Sequence, residues 1–488
     1  MSKKQKTKGI TMAKDLIYDI HDKPPFGKRL IFAFQQFLAI LAATIAVPTI
    51  IGLPTQIPAA IFGAGVGTLI YQLFTKFKSP VFLGSSFAFL GALSIALAFG
   101  YTGIVIGTVV AGLVYVVLAV LIHFVGTAWV KKLMPPVIIG PTVTLIGLSL
   151  AGNAMGDIVK ANSATGAAAS YNFAALACGL VAFFVIVICS VQKKYVMPKL
   201  IPFVIGIAAG YAVASLLTVI GKAADINYLK IVDWQPVISN YVTADGQFTG
   251  ISAFFTVPKF ALVESIKEIA TGKLAAEVLQ ATKGQATVIT GAGIVKVAVT
   301  FLPIALVVFA EHIADHKNLS SIIDKDLIED PGLEKTLLGD GVGSIMGTMF
   351  GICPNTTYGE SVGCVAVTKN ASVVTITTTA IMCIVLSFFS PLTTLLQTIP
   401  SCVMGGVCLT LYGFIAVSGL KMLKVVDMDN NKNLFVVAAI LISGIGGLKL
   451  TFTDTVQITP IATALLLGIA TNAVLTLIEK RHQKKSEQ

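Results

Sequence analysis

Charge is what this sequence has least of. Only 12% of its 488 residues are Asp, Glu, Lys or Arg, against about 25% in soluble domains. Acids are scarcer still in places. Between Phe26 and Asp225 the sole acid is Asp157, and between Glu360 and Asp427 there is none. A chain this poor in charge, with 55% apolar residues, does not make a set of soluble domains. The alternating pattern of a transmembrane β-barrel is also missing. The seven cysteines lack metal-type spacing and lie in apolar segments, so they read as small buried hydrophobes. No cleavable signal peptide is visible: the start is polar and lysine-rich, and the first apolar run is full length. The net charge of +11 does not point to nucleic acid. The basic residues gather in short connections and at the ends, as the positive-inside rule expects of cytoplasmic loops.

What the sequence does have is a series of apolar runs, many of them long enough to cross a hydrocarbon core of about 30 Å. They predict an all-α polytopic membrane protein with about fourteen spans. These lie near 28–50, 57–75, 79–100, 103–125, 135–152, 172–191, 200–219, 295–316, 337–353, 357–369, 371–390, 400–420, 433–449 and 459–478. A basic tail, 1–27, holds Lys3, Lys4, Lys6, Lys8 and Lys14, and a second basic tail covers 479–488. Residues 220–294 are less apolar and read as a long external excursion. Within them, the mixed-charge stretch from Lys259 to Lys283 has the look of an amphipathic helix. Basic connections at 76–78, 131–132, 193–199, 317–335 and 421–432 fall on one side if the N-terminus is cytoplasmic. An even number of spans puts both termini inside a plasma membrane.

An internal repeat is visible. Gly84-Ser85-Ser86-Phe87 opens a short helix in the first half, and Asn355-Thr356-Thr357-Tyr358 opens one in the second, 271 residues later. Pro135-Pro136 with Gly140 echoes Pro400 with Gly405-Gly406 at an offset of 265 from Pro135 to Pro400. Seven spans per half is odd, so the halves have opposite topology. Inverted repeats with interrupted helices at matching positions point to a secondary transporter with its site at the repeat interface.

Two carboxylates, Glu311 and Glu360, stand in stretches apolar enough for the bilayer. A charge there costs about 2.5 kcal/mol or more and marks a cavity, partner or substrate. Glu360 falls in the first turn of the second half-helix, where free N–H groups and the positive dipole end collect. Two carboxyls with backbone donors between them suit a flat ring with alternating C=O and N–H edges, such as a pyrimidine or purine base. Tyr358 and Phe87 offer aromatic faces. The bland alternatives are a Glu311 that neutralises Lys296 or Lys317, and a Glu360 that only caps its helix. Burial and a neighbouring like charge favour a protonated carboxyl, so substrate uptake coupled to protonation follows as an expectation. Asp315 and His316 are placed near the water boundary, in either an interfacial or a proton-relay role. Ser85, Ser86, Thr356 and Thr357 are expected to satisfy backbone groups rather than touch ligand. His123 reads as a solitary interfacial histidine. A remote alternative is an intramembrane metalloenzyme built on His312, Asp315 and His316, but the order is wrong for His-Glu-x-x-His.

Several segments together resemble the nucleobase:cation symporter-2 (nucleobase–ascorbate transporter) family, in its bacterial uracil:proton branch. They are Ala43-Thr44, Leu83 to Phe89, Ala310-Glu-His-Ile313, Asp330-Pro-Gly-Leu333, Asn355 to Glu360, Val403 to Gly406 and Leu411-Tyr-Gly413. Glu360-x-x-Gly363-x4-Thr368-Lys369 is similar to the family signature, with Glu first as in the uracil branch and Gln usual in purine members. The resemblance runs from about Pro24 to Leu477, poorly over 220–294. It implies a core domain from 28–125 and 295–390 and a gate domain from 134–219 and 400–478. Short β-strands and half-helices would lie in spans 3 and 10. It further implies that Glu311 and Glu360 bind the base, with Phe87, Tyr358, Gly359 and Ala43 contributing, and that Glu311, Asp315 and His316 handle the proton. The implied activity is uracil import by proton symport, with a xanthine or purine permease as the alternative, a possible homodimer, and no cofactor, metal or nucleic acid. Three departures stand out. Ser361 replaces the family's Asn, Gln35-Gln36 replaces a Gln-His pair, and Asp315 stands where the uracil branch has His.

Overall fold

The computed structural model describes residues 16–160, 171–243, 245–452 and 457–486. Lys3, Lys4, Lys6, Lys8 and Lys14 of the basic tail therefore lie outside the described residues. In chain order the elements are α1 (Phe26–Ile50), α2 (Ile57–Phe74), β1 (Leu83–Ser85), α3 (Leu90–Leu97), α4 (Gly100–Val125), α5 (Ala128–Leu133), α6 (Pro136–Ile158), α7 (Phe173–Val191), α8 (Val196–Leu200) and α9 (Pro202–Ala223). There follow α10 (Gln235–Tyr241), α11 (Ala261–Thr271), α12 (Ala276–Ala281), α13 (Gly291–Ile323), α14 (Leu333–Met349), β2 (Asn355–Thr357), α15 (Gly359–Thr368), α16 (Val373–Ser387), α17 (Ser390–Gln397), α18 (Ser401–Met422), α19 (Asn431–Ile445), β3 (Leu450–Thr451), β4 (Gln457–Ile458) and α20 (Pro460–Ser486). Among the described residues nine helices are long and apolar enough to cross a membrane, with α16 and α19 shorter and also apolar. The chain is a polytopic membrane protein. Pro58, Pro136, Pro202 and Pro460 stand in first turns, where a missing N–H is no loss.

The helices sort into two packed groups. In one, α2 packs on α14 and α16, α4 on α13 and α14, and α1 on α16. In the other, α6 packs on α18 and α19, α7 on α9 and α18, and α19 on α20. The broken spans sit with the first group: β1 packs on α1 and α2, and β2 on α13 and α14. β1 and β2 pair antiparallel, Leu83 opposite Thr357, Gly84 opposite Thr356 and Ser85 opposite Asn355.

Three expectations change. First, α13 runs 33 residues from Gly291 to Ile323, about 50 Å at 1.5 Å per residue, well past the expected 295–316. Its polar tail stays helical, so Asp315 and His316 lie inside the protein, 6% and 0% exposed, and not at a water boundary. Second, 220–294 is not a free excursion. It folds into α10, α11 and α12, and α11 packs on α4. Third, His123 is not solitary: its Nδ1 lies 2.9 Å from the Glu334 carboxylate. Six of the seven cysteines are buried and Cys189 is partly so.

Candidate functional site

The site is built on the crossing of β1 and β2. An extended backbone at membrane depth needs partners for its N–H and C=O groups, and the two strands supply part of them to each other. Ser86 N–H donates to Pro354 C=O at 2.9 Å, and Tyr358 N–H to Phe82 C=O at 3.1 Å. Helices behind supply the rest. Leu83 N–H donates to Thr68 Oγ1 at 3.0 Å, Asn355 N–H to Ser344 Oγ at 3.0 Å, and Asn355 Nδ2 to Gly63 C=O at 3.0 Å. The Tyr358 hydroxyl donates to Ser85 C=O at 3.1 Å, and its ring covers Gly84 so closely that a Cβ there would collide with it.

Three of the four hydroxyl residues expected to serve the backbone do not do so. The hydroxyls of Ser86 and Thr356 have no hydrogen-bond partner, and Thr357 Oγ1 donates to Asp315 Oδ2 at 2.7 Å. Thr68, Ser344 and Asn355 do that work instead. They went unnoticed because each sits in an ordinary helix or strand pattern.

A cavity of about 550 Å³ opens in front of the crossing, within the range of small-molecule sites. Glu311, Asp315, Thr356, Thr357, Gly359 and Glu360 line its polar end, with Phe87 and Tyr358 beside them. Glu311 is presented by α13, and Glu360 by the first turn of α15. Glu311 Oε2 has no hydrogen-bond partner among the described residues. The cavity extends past Asn318 and Ser418, which are hydrogen-bonded at 3.1 Å, to Lys199 and Lys421. Phe87 meets Tyr412 of α18 edge to face, with ring centroids 5.4 Å apart at 84°. The next residue, Ala88, lines a second cavity of about 620 Å³ with Asn153, Gly444 and Lys449. The Phe87–Tyr412 pair thus stands where the two cavities come closest along the chain.

Two expected site residues lie elsewhere. Ala43 is fully buried in α1, and Ala39, one turn earlier, lines the cavity. His316 faces away from the cavity. Its Nε2 is 2.8 Å from the Tyr71 hydroxyl, which reaches Ser79 Oγ at 2.8 Å. His316 Nδ1 bonds the His312 carbonyl at 2.8 Å. His312 in turn bonds Asp340 Oδ2 at 2.7 Å and Thr336 Oγ1 at 3.0 Å. Every ring nitrogen of this pair is committed to protein, which leaves no lone pair for a metal. Sequence reasoning passed over Asp340, although an acid in an apolar run was the signal that marked Glu311. Gln36, from the altered pair in α1, donates to Ser361 Oγ, so two of the departures from the family pattern meet each other.

Comparison with known proteins agrees with this architecture. The model of the permease family Xan_ur_permease matches residues 27–296 and 291–452. The chain is 33% identical over 462 residues to the uracil permease of Bacillus caldolyticus, covering 94% of each. It is 32% identical over 473 residues to that of Bacillus subtilis strain 168, covering 96% of this chain and 97% of the relative. The uracil permease of Escherichia coli K12 is 30% identical over 464 residues, 94% of each. Among solved structures, murine Solute Carrier 26 family member A9, an anion transporter in the inward-facing state, superposes with a TM-score of 0.56 at 12% identity, over 94% of this chain and 69% of that one. The transmembrane domain of the cyanobacterial bicarbonate transporter BicA gives 0.51 at 13% identity, over 93% of this chain and 100% of that one.

Proposed function

This chain belongs to the Xan_ur_permease family of permeases, and from that premise we propose that it imports a nucleobase, uracil, by proton symport. It is a membrane transporter and not an enzyme. The observation that carries the substrate reading is one cavity in which Glu311, Glu360 and unpartnered hydroxyls surround the start of a half-helix. A pyrimidine ring offers N–H groups to carboxylates and C=O groups to backbone N–H donors, and its faces fit Phe87 and Tyr358. The uracil permeases that align over nearly the whole chain favour uracil among such rings.

The coupling reading follows from polar accounting. An ionised carboxylate with an oxygen left unsatisfied in an enclosed site is costly. Glu311 therefore takes a proton of its own, which lets it donate to a ligand C=O while Glu360 accepts a ligand N–H. Asp315 has a donor already in Thr357. Substrate and proton then enter together, with Glu311 as the coupling group and Asp315 holding β2 against α13. His316, one shell behind, reaches the cavity only through this packing.

Transport follows as movement of the α1–α4 and α13–α16 group against the α6–α9 and α18–α20 group. The fourteen-span reading takes each broken element, β1 with α3 and β2 with α15, as one span, giving two inverted sets of seven. The lysine-rich end that carries Lys199 and Lys421 is then cytoplasmic, and the cavity at the carboxylates reaches toward it. The test is uptake of labelled uracil into cells or vesicles under an imposed proton gradient, with unlabelled bases as competitors. Competition by thymine and 5-fluorouracil is expected. Strong competition by xanthine with none from those two overturns the uracil assignment.

A further inference from the structure

Helix α11 is amphipathic in the reverse of the usual sense. Its buried face is Ala261, Ser265 and Glu268, and Ser265 and Glu268 are only 4% and 3% exposed. Its outward face is Val263, Ile266 and Ile269, which are 45%, 58% and 64% exposed. On a soluble surface the apolar face would turn inward.

The buried face has a job that fixes the helix rotation. Glu268 accepts from Tyr101 N–H at 3.2 Å, Thr102 N–H at 3.0 Å and Thr102 Oγ1 at 3.0 Å. It caps the first turn of α4 from another segment, where orphan N–H groups and the positive dipole end favour a carboxylate. Gly100 makes room for it. Its φ is +72°, and a Cβ there would run into the Glu268 carboxylate. Ser265 Oγ adds a bond to Thr102 Oγ1 at 3.1 Å. With Glu268 held inward, the three apolar residues have to point out.

What they point into follows from α4. That helix has 26 residues, about 39 Å, against a hydrocarbon core of about 30 Å, so its ends reach the headgroup level. The large apolar side chains of α4 that are exposed begin at Leu113 and continue through Val117, Val120, Leu121 and Phe124. Nearer its start, α4 is covered by α11. The outward face of α11 thus continues the bilayer-facing surface of α4 toward its first turn. Glu264 and Lys267 pair at 2.7 Å on the flank, and Phe255 and Val257, just before the helix, are also exposed.

We infer that α11 is an interfacial helix seated in the leaflet at the end of the bundle opposite Lys199 and Lys421. Its occupant is lipid: acyl chains just below the headgroups receive Val263, Ile266 and Ile269. The Glu268 cap makes α11 part of the α4 group, so the helix rides with that group when it moves.

The test uses the full chain in phosphatidylcholine vesicles with bromine on the upper acyl carbons. Ile266→Trp and Ile269→Trp are compared with Lys267→Trp, the emission of Trp129 and Trp234 being subtracted through the unsubstituted protein. The added emission of the two apolar-face variants is expected to be blue-shifted, to lose most of its intensity to brominated lipid and to resist iodide. Lys267→Trp is expected to show the reverse order. Quenching by iodide and not by lipid at Ile266 and Ile269 overturns the inference. So does shielding from both quenchers that disappears as protein is diluted in lipid, since a second copy is then the occupant. Monodisperse elution of each variant before reconstitution separates misfolding from either result.

Discussion

Gly84→Ala probes the site through a single methyl group. A Cβ at this position would lie against the Tyr358 ring, within contact of its Cε2, Cζ and hydroxyl atoms. Neither neighbour has freedom to yield. Gly84 is pinned opposite Thr356 in the two-strand ladder, and Tyr358 is 3% exposed and bonded to the Ser85 carbonyl at 3.1 Å. Overpacking in a tight interior costs about 1–3 kcal/mol. Displacing the ring also loses the hydroxyl bond, about 1 kcal/mol. The sum is about 2–4 kcal/mol, which is roughly 30- to 1000-fold in an equilibrium constant. It falls on substrate affinity, on melting temperature, or on both, because the same ring lines the cavity. Purified protein titrated with uracil, with thermal unfolding followed in parallel, reads the two shares. Tyr358→Phe removes only the hydroxyl bond and is expected to cost about 1 kcal/mol. Tyr358→Ala removes the obstacle, so Gly84→Ala added to it is expected to cost little more, a strong non-additivity for residues in contact. A Gly84→Ala protein with wild-type uptake and melting, or an additive double variant, refutes the packing argument.

Glu311→Gln keeps the shape and a donor but cannot ionise. Uracil-driven proton uptake in proteoliposomes is expected to vanish, and persistence of coupled uptake removes Glu311 from the role. Thr357→Val strips Asp315 of a side-chain hydrogen-bond donor, a bond to a charged group being worth about 1.5–3 kcal/mol. Uracil affinity is expected to fall about 10- to 100-fold, with Thr357→Ser restoring most of it; equal defects in both variants would mean the methyl, not the hydroxyl, matters. Outside the membrane, burial alone would raise the Glu277 carboxyl, but the hydrogen bonds and charge of Lys259 with the Tyr101 hydroxyl bring it below its ordinary 4.5. A depressed folded-state value contributes stability that is present above 4.5 and lost as pH falls through the lower value. Melting temperatures of wild type and Glu277→Gln are therefore expected to differ at pH 7 and converge below about pH 4; a constant gap across that range contradicts the pairing.

Much of this architecture was legible from residue types alone. The long apolar runs became α1, α2, α4, α6, α7, α9, α13, α18 and α20, with α6, α13 and α20 running six to eight residues past their expected ends. The short strands that the family resemblance implied pair at Leu83–Ser85 and Asn355–Thr357, because Gly-Ser-Ser and Asn-Thr-Thr are poor helix formers placed before good ones. What escaped was whatever depends on distant partners. Asp315 looked interfacial because Lys317, Asn318 and Ser320 follow it, yet Asp315 and His316 are buried while those three are exposed or only partly buried. Glu268 lies inside the mixed-charge stretch from Lys259 to Lys283. Its partner is the start of α4, some 166 residues earlier, and no local pattern encodes that meeting. Hydrophobic periodicity named the amphipathic stretch but not which face would be buried.

The same polar accounting separates the cavity from its support. Behind the crossing many polar side chains are satisfied from within: Thr68 on Leu83, Ser344 and Gly63 on Asn355, His312 on Asp340 and Thr336, His316 on Tyr71, although Asp340 Oδ1 and Thr348 Oγ1 are left without partners among the described residues. Hydrogen bonds linked in this way hold their members in one arrangement. In front of the crossing the pattern reverses, with Thr356 Oγ1 and Glu311 Oε2 unpartnered on the cavity side. Leaving buried polar atoms open costs about 1–3 kcal/mol each. The rigid back explains how the front can remain open without collapsing onto itself. A ligand that satisfies those atoms recovers what the empty site forgoes, so binding is strongest for a molecule whose donors and acceptors match them one for one. On the proposed reading, the edge of a planar base, and not merely its size, is the property such a cavity would select.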